Sequence, residues 1–231
     1  MRKLGLIGGT GPESTVIYYR ELTSGVQKRL NRNMFPYLTI ESLSVFDVLD
    51  YCNRNDYTGL IAYLTQGVRN LAAAGAEIAA FTGITPHIVY DEVLKRSPIP
   101  IISMVQTSCQ YAKKKRNNRI ALLGTLPTMN GDFFQRPFRE DGIKVIVPKE
   151  DERQYIGHVI ETELEYGIVK SETKHMLKQI SLRLIEEEKV EAIVLGCTEL
   201  PLAFDEISLP VEKMDVMRIH IDALIGEIIR D

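Results

Sequence analysis

The sequence lacks the features that would indicate a nucleic acid, a membrane or a metal ion as its partner. Its 28 basic side chains are nearly balanced by 31 acidic ones, for a net charge of −3, so there is no basic stripe for nucleic acid and no polybasic patch for a membrane. Three cysteines, Cys52, Cys109 and Cys197, show no CxxC or Cys/His spacing, which argues against a disulfide framework and a zinc site. We therefore expect a small-molecule partner and no bound metal.

Long apolar runs and low-complexity tracts are also lacking. The opening MRKLGLIGGTGPE has too few apolar residues before its glycines for a signal peptide, and far fewer than the roughly 20 that a membrane-spanning helix needs. We therefore expect a cytoplasmic protein. No linker rich in Pro, Gly or Ser divides the 231 residues, of which 45% are apolar and 26% charged, as is typical of a globular chain.

What the sequence does contain is a regular alternation of strand and helix patterns. Apolar runs that end at or near a glycine predict buried strands at KLGLIG, EIAAFTG, RIALLG and EAIVLG. Shorter strands are predicted at 37–45, 99–104 and 144–148, and helices at 12–30, 57–74, 151–166, 171–188 and from Val216. This alternation predicts an α/β fold with parallel sheets covered by helices on both faces.

The alternation restarts near the middle of the chain, which predicts an internal duplication. Three landmarks recur at spacings of 116, 114 and 110 residues: Gly8 with Gly124, Gly83 with Cys197, and Pro100 with Pro210. We predict two pseudo-symmetric α/β lobes, one of residues 1–105 plus 210–231 and one of residues 106–209. The expected active site is a cleft between the lobes.

Four loops follow predicted strand ends, where open parallel sheets bind their ligands: GGTGPEST, TGITPH, GTLPT and GCTEL. Backbone N–H groups and helix N-termini in such loops bind a carboxylate or phosphate without a lysine, so we expect an anionic substrate. Threonine is also a common helix cap, so some of these hydroxyls could have only that role. The candidate substrate-binding residues are Gly9, Thr10, Asn53, Thr82, Ile84, Thr125, Thr128, Thr198 and Glu199.

The first of these loops has a second interpretation. Gly9-Thr10-Gly11-Pro12-Glu13-Ser14 approaches the G-x-G-x-x-G dinucleotide fingerprint. The third glycine is missing, however, and no acidic residue stands at the end of the second strand, where one would bind the ribose. Nucleotide binding is therefore disfavoured.

Cys197 is the best candidate for a reactive side chain. It ends an apolar strand, follows a glycine and precedes a predicted helix start, where we expect the local field to lower the pKa of the thiol. Cys52 and Cys109 lie inside amphipathic helical patterns and are expected to be core residues. His87 could orient a ligand or cap a helix, whereas His158, His175 and His220 lie on charged helices and are expected at the surface.

The motifs GGTGPEST, TGITPH, IPIISM, LLGT, EDER and GCTEL, spread over nearly the whole chain, resemble those of the aspartate/glutamate racemase family. The resemblance implies two pseudo-symmetric lobes and catalysis without pyridoxal phosphate or any other cofactor. One cysteine from each lobe would act on the Cα proton of an amino acid, and the protein would form a homodimer. By the resemblance, Cys197 is one of the two bases.

The other cysteine is missing. When the segment TGITPH is matched to the family segment that carries the first cysteine, Thr85 and His87 fall on their family counterparts and Gly83 falls on the cysteine. The chain therefore resembles the branch of the family without the first catalytic cysteine, and Thr82, Thr85, His87 or a water is a candidate second proton donor. We expect a racemase of aspartate or glutamate in which Cys197 favours the L-enantiomer. One alternative is a single-cysteine decarboxylase or isomerase of the arylmalonate decarboxylase type. Another is a catalytically impaired ligand-binding relative, which Gly83→Cys would convert into a racemase.

Overall fold

The computed structural model describes residues 1–230, which form two compact α/β units. Unit 1 contains Met1–Thr107 and the chain from Met217 onward, and unit 2 contains Ser108–Val216. Each unit has its own four-stranded, fully parallel sheet flanked by helices, which confirms the predicted fold class. Within residues 1–230, no helix combines the length and the apolar character needed to cross a membrane.

The sheet of unit 1 has the strand order β2-β1-β3-β4. Its strands are β1 (Leu4–Gly8), β2 (Leu38–Ser42), β3 (Ile78–Phe81) and β4 (Ile101–Ile102). Its helices are α1 (Pro12–Leu30), α2 (Val45–Asn53), α3 (Tyr57–Ala73), α4 (Tyr90–Arg96) and α11 (Val216–Ile229); α5 (Met104–Lys114) contains the boundary between the units. Every residue of β1 and β3 is buried, as central strands covered on both faces require.

Helix α1 shows how the sequence sets the start of this unit. Pro12 stands in the first turn, where its missing N–H costs nothing, and Glu13 complements the positive end of the helix dipole. One buried stripe runs along the helix at intervals of four residues, and Asn31 ends it in the left-handed conformation with φ of 50°. The helix therefore begins with three residues between it and the end of β1, and it buries one face along its length.

The sheet of unit 2 repeats this order as β6-β5-β7-β8. Its strands are β5 (Arg119–Gly124), β6 (Lys144–Ile146), β7 (Ala192–Gly196) and β8 (Glu212–Asp215). Its helices are α6 (Leu126–Asn130), α7 (Asp132–Glu140), α8 (Glu150–Thr162), α9 (Ser171–Glu188) and α10 (Leu200–Phe204). Replacing β1 to β4 by β5 to β8 reproduces the order, so the two units share one topology.

The boundary of the units and the end of β2 are two places where the structure differs from the sequence prediction. The chain returns to unit 1 at Met217 and not at residue 210, because β8 pairs in parallel with β7 and so completes the sheet of unit 2. The strand predicted at 37–45 ends at Ser42, because Ser44 caps α2 by accepting a hydrogen bond from the N–H of Asp47 at 3.3 Å. Neither feature has a strong signal in the hydrophobic pattern.

Candidate functional site

Cys197 lies directly after the last residue of β7, at the carboxyl end of the sheet of unit 2. The residue is 7% exposed and packs in the apolar core of that unit. Its thiol donates a hydrogen bond to Glu199 Oε2 at 2.9 Å. The hydroxyl of Thr198 donates to Glu199 Oε1 at 2.7 Å. Both oxygens of the Glu199 carboxylate therefore have a donor from the same loop.

The pKa of the Cys197 thiol is raised well above its ordinary value. Burial is the main cause, followed by the negative charge of Glu199 and the hydrogen bond to it, and Glu165 adds a smaller charge effect. The expected lowering is therefore wrong. The helix that begins at Leu200 has only five residues and Glu199 is its N-cap, so the sulfur faces a carboxylate instead of an open helix end. Cys197 is consequently a protonated thiol at neutral pH.

Sheet register places Gly83 at the position in unit 1 that Cys197 has in unit 2. Ile7 pairs with Phe81 in one sheet, and Leu123 pairs with Leu195 in the other. One residue further along each strand, Thr82 lies beside Gly8 and Gly196 lies beside Gly124. Gly83 follows Thr82 and Cys197 follows Gly196, so the two residues occupy equivalent positions in the two sheets. The structure thus gives the same match as the sequence spacing.

The space next to Gly83 is already taken by Thr10. A Cβ atom on Gly83 would lie 2.9 Å from Thr10 Oγ1 and 3.0 Å from the carbonyl oxygen of Thr10. Both distances are shorter than ordinary carbon–oxygen contacts. A side chain at position 83 therefore requires Thr10 to move.

The hydroxyls of Ser14, Thr15 and Thr82 form hydrogen bonds within and between the loop after β1 and the loop after β3 in unit 1. Thr82 is fully buried, and its hydroxyl lies 3.0 Å from Thr15 Oγ1 and 3.2 Å from the carbonyl oxygen of Ile7. Ser14 Oγ lies 3.1 Å from the carbonyl oxygen of Thr82 and 2.8 Å from that of Gly11. The contacts of Thr82 are thus structural, which disfavours it as the substitute proton donor.

His87 is also held inside unit 1. Its Nδ1 lies 3.2 Å from the carbonyl oxygen of Ile84, and its Nε2 accepts a hydrogen bond from the N–H of Met104 at 3.2 Å. The ring stacks on Tyr90, and burial lowers its pKa to about 4. His87 is therefore neutral at pH 7 with both nitrogens engaged, which disfavours it as a proton donor to a substrate.

The profile of the family described as Asp/Glu/Hydantoin racemase matches residues 7–224. The chain belongs to this family. The family assignment made from the sequence motifs is thereby confirmed, and the relatives indicate an isomerase of the racemase type.

Named relatives and solved structures match more than nine-tenths of this racemase-family chain. The broad specificity amino-acid racemase RacX of Bacillus subtilis is 22% identical over 219 residues, which are 92% of either chain. The crystal structure of an aspartate racemase homologue from Pyrococcus horikoshii OT3 is 33% identical with a TM-score of 0.89 and covers all of both chains. Arylmalonate decarboxylase is 13% identical with a TM-score of 0.53, over 96% of this chain and 91% of its own. That last likeness shows the fold alone.

The remaining candidates of the racemase-family chain are distributed over both units. Thr125 and the buried Thr128 have hydroxyls 3.0 Å apart after β5. Thr85 is half-buried at the start of a 3-10 turn (Thr85–Val89), and Ile84 precedes it in the core. Asn53 is exposed at the end of α2.

Gly9 adopts a left-handed φ of 75°, and its N–H donates to Thr15 Oγ1 at 3.0 Å. It lines a pocket of about 380 Å³ with Pro12, Ser42 and Phe46 among others. This pocket lies at the carboxyl ends of β1 and β2, in the region where parallel sheets bind ligands.

Two features of these units differ from the sequence prediction. Glu199, predicted as a substrate contact, is the hydrogen-bond partner of the Cys197 thiol, and its spacing of two residues from Cys197 is the signal in the sequence for this contact. The prediction that His220 lies at the surface is wrong: the residue is fully buried, with Nδ1 2.6 Å from Tyr18 Oη and Nε2 3.1 Å from the carbonyl oxygen of Ile102. No local pattern distinguishes this histidine from an exposed one.

Proposed function

We propose that the protein is a cofactor-independent amino-acid racemase that acts on aspartate or glutamate, with Cys197 exchanging the Cα proton and the L-enantiomer favoured. The observation that carries this proposal is the hydrogen bond of the Cys197 thiol to Glu199 at the end of β7. Family membership and the names of the relatives support the reaction class. A cytoplasmic location and a homodimer are part of the same proposal.

Glu199 supplies the proton acceptor that a resting thiol needs. The thiol gives its proton to the carboxylate 2.9 Å away, and the resulting thiolate takes the proton from Cα. The C–H bond breaks, an S–H bond forms, and the electron pair is delocalised into the substrate's α-carboxylate. A positioned base of this kind accelerates proton transfer by about 10² to 10⁴.

The acidic side chains near Cys197 favour a positively charged substrate group beside the thiol. Glu199 and Glu165 are both acidic, and the pKa of Glu165 is raised by burial and then by the charge of Glu199. They favour the ammonium group of an amino acid at this place. That positive charge would lower the pKa of the thiol, so thiolate forms when substrate is bound.

The test is Cα hydrogen exchange in D₂O, followed by NMR for both enantiomers of aspartate and glutamate. We expect faster exchange of the L-enantiomers, slow racemisation, and a loss of at least about 100-fold in Cys197→Ala, the range of a removed catalytic base. Cys52→Ala is the matched control, because Cys52 lies half-buried on α2 in unit 1. Equal exchange of both enantiomers, or exchange that survives Cys197→Ala, contradicts the proposal.

A decarboxylase is the second candidate, because it too can work with one thiol and a glycine at the matching position. The fold likeness to arylmalonate decarboxylase is compatible with it. Release of CO₂ from substituted malonates, without Cα exchange of amino acids, would favour this candidate over the racemase.

A further inference from the structure

We propose that unit 1 pairs with a second copy of this chain through a surface formed by α1, the edge strand β2 and α2. This inference rests on the homodimer in the proposed function and adds the surface that forms it, and it does not depend on the reaction. We call this area the β2 edge surface. It consists of five exposed apolar side chains: Val16, Tyr19, Ile40, Phe46 and Leu49.

Exposed apolar side chains are concentrated in this part of the chain. Among residues 1–230, thirteen large apolar side chains are exposed, and eight of them lie between Val16 and Leu49. The eight belong to α1, the segment before β2, β2 itself and α2. Single exposed apolar residues are common on protein surfaces, whereas a large contiguous group of them marks an interaction site.

Contacts within unit 1 bring the three elements of the β2 edge surface together. Pro12 and Phe46 line the same pocket, which joins the start of α1 to the start of α2. A Cβ on Gly8 would lie 2.6 Å from Thr15 Cγ2 and 3.0 Å from Ile40 Cγ2. The side chain of Ile40 on β2 therefore lies next to α1.

Helical spacing places the other residues beside these. Val16 lies one turn after Pro12 on the surface of α1, and Tyr19 lies one turn after Val16. Leu49 lies one turn after Phe46 on α2. The five side chains thus form one continuous apolar area in unit 1.

The exposed apolar area along β2 is as large as one side of a stable dimer interface. Taking about 150–250 Å² for a fully exposed aromatic side chain and less for an aliphatic one, the five residues expose roughly 500 Å². On the same basis the area rises to roughly 800 Å² with three exposed side chains in the segment that leads into β2: Met34, Phe35 and Tyr37. A standard interface buries about 800 Å² per partner, whereas the largest apolar patch on a typical monomer is about 300–600 Å².

The pocket beside Phe46 fits an aromatic side chain better than it fits a charged amino-acid substrate. Its volume is about 380 Å³, and none of its lining residues is charged. Phe46 lines this pocket and is nevertheless 79% exposed. In a two-fold interface the same surface is present on both copies. Each Phe46 can therefore enter the pocket of the other copy.

Charge also favours a second copy over a strongly charged partner. The five residues of the β2 edge surface are uncharged, and the charged residues next to them carry both signs. On α1, Arg20 pairs with Glu21 at 3.3 Å. On α2, Arg54 pairs with Asp50 at 2.6 Å. The surface can therefore face its own copy without bringing like charges together, which would weaken association.

The experiment is sedimentation velocity over a dilution series, which gives the dissociation constant of the dimer. We expect a wild-type dimer, and in Phe46→Glu a dissociation constant at least about 30-fold higher, the effect of losing one hot-spot side chain. Val16→Glu, on the α1 side of the surface, should act in the same way and keeps the test valid if Phe46→Glu does not fold. Tyr166→Glu is the matched control, because Tyr166 is 74% exposed in unit 2, and it should leave the dissociation constant unchanged.

A mixture of two variants tests whether the copies meet through the same residue. Phe46→Glu and Phe46→Lys each place like charges across the two-fold axis, whereas a mixed dimer places opposite charges there. We expect mixed dimers that are at least about 10-fold tighter than the dimer of either variant alone, detected by native mass spectrometry. Folded variants that form no mixed dimer overturn the two-fold contact at Phe46.

The other outcomes separate the surface from the rest of the proposed function. A wild-type monomer overturns this inference and the homodimer, and Cα exchange by that monomer leaves the racemase reaction standing. A wild-type monomer whose binding of the apolar dye ANS is lost in Phe46→Glu assigns the surface to a different apolar partner, which also overturns the inference. A dimer that survives in both Phe46→Glu and Val16→Glu overturns the surface and leaves the homodimer. A wild-type dimer without Cα exchange overturns the racemase reaction alone.

Discussion

At the scale of single residues, the protonation state of Cys197 is determined by its neighbours and not by its position after a strand. Burial and the Glu199 carboxylate both raise the pKa of the thiol. Helix α10 is too short, with five residues, to offset them. Cys197 is therefore a protonated thiol at rest, and in the proposed reaction its first step is to give its proton to Glu199.

Replacing Glu199 by Gln should lower the pKa of the Cys197 thiol, because the amide keeps the size of the side chain and removes its charge. The pKa should remain above the ordinary value, because burial is the largest cause of the shift. The measurement is the pH dependence of iodoacetamide labelling of Cys197, read by mass spectrometry of its peptide. Glu172→Gln, in the first turn of α9, is the control. An unchanged labelling profile in Glu199→Gln would show that the charge of Glu199 does not act on the sulfur.

At the scale of elements, α1 and α11 are joined by a buried polar contact inside unit 1. Tyr18 of α1 donates its hydroxyl hydrogen to His220 Nδ1 of α11 at 2.6 Å, since His220 Nε2 donates to the carbonyl oxygen of Ile102 at 3.1 Å. Burial lowers the pKa of His220 to about 3. The pair thus specifies how the last helix packs on the first one.

The stability of the protein should fall as the pH is lowered from 7 to 5. Unfolded histidine titrates near 6.5, whereas folded His220 and His87 have pKa values of about 3 and about 4. Below pH 6.5 the unfolded chain therefore binds more protons than the folded one. The contribution of the two neutral, buried histidines to the free energy of unfolding is fully present above pH 6.5 and is lost progressively below it. Each of the two histidines should lower the free energy of unfolding by about 1.4 kcal/mol per pH unit.

Urea unfolding at pH 7, 6 and 5 measures this slope, and an NMR titration of the ring protons follows the two histidines directly. Both rings should stay neutral in the folded protein down to pH 5. A His220 ring that titrates near pH 6.5 in the folded state would contradict the assignment.

At the scale of the whole molecule, the chain builds one topology twice and then returns to the first copy. The strand orders β2-β1-β3-β4 and β6-β5-β7-β8 are equivalent. Helix α11 contributes Met217, His220, Leu224 and Ile228 as buried residues, and from Met217 onward it belongs to unit 1. The two ends of the sequence therefore depend on each other.

Truncation after Val216 should unfold unit 1 and spare unit 2, whose sheet is complete with β8. Burying one large apolar side chain contributes about 1.5–3 kcal/mol, so the loss of several exceeds the usual stability of a domain. Hydrogen exchange with mass spectrometry should show fast exchange in β1 and β3 and retained protection in β5 and β7. Truncation after Gly226 removes less of the helix and serves as the graded control. Equal loss of protection in both units would contradict the division.

The sequence by itself determined the fold class, the duplicated order of strands, the family and the contrast between Gly83 and Cys197. These depend on local patterns, since hydrophobic periodicity and glycine-ended strands are read within a few residues. The predicted shared cleft between the lobes, the roles of the site residues and the homodimer stay predictions.

Only the tertiary structure decided the protonation of Cys197, the place of β8, the burial of His220 and the unpartnered hydroxyl of Thr10 beside Gly83. Each depends on residues from distant parts of the chain, or on how deeply a side chain is buried. A pKa or a missing hydrogen bond is a property of those surroundings, and they exist only once the chain has folded.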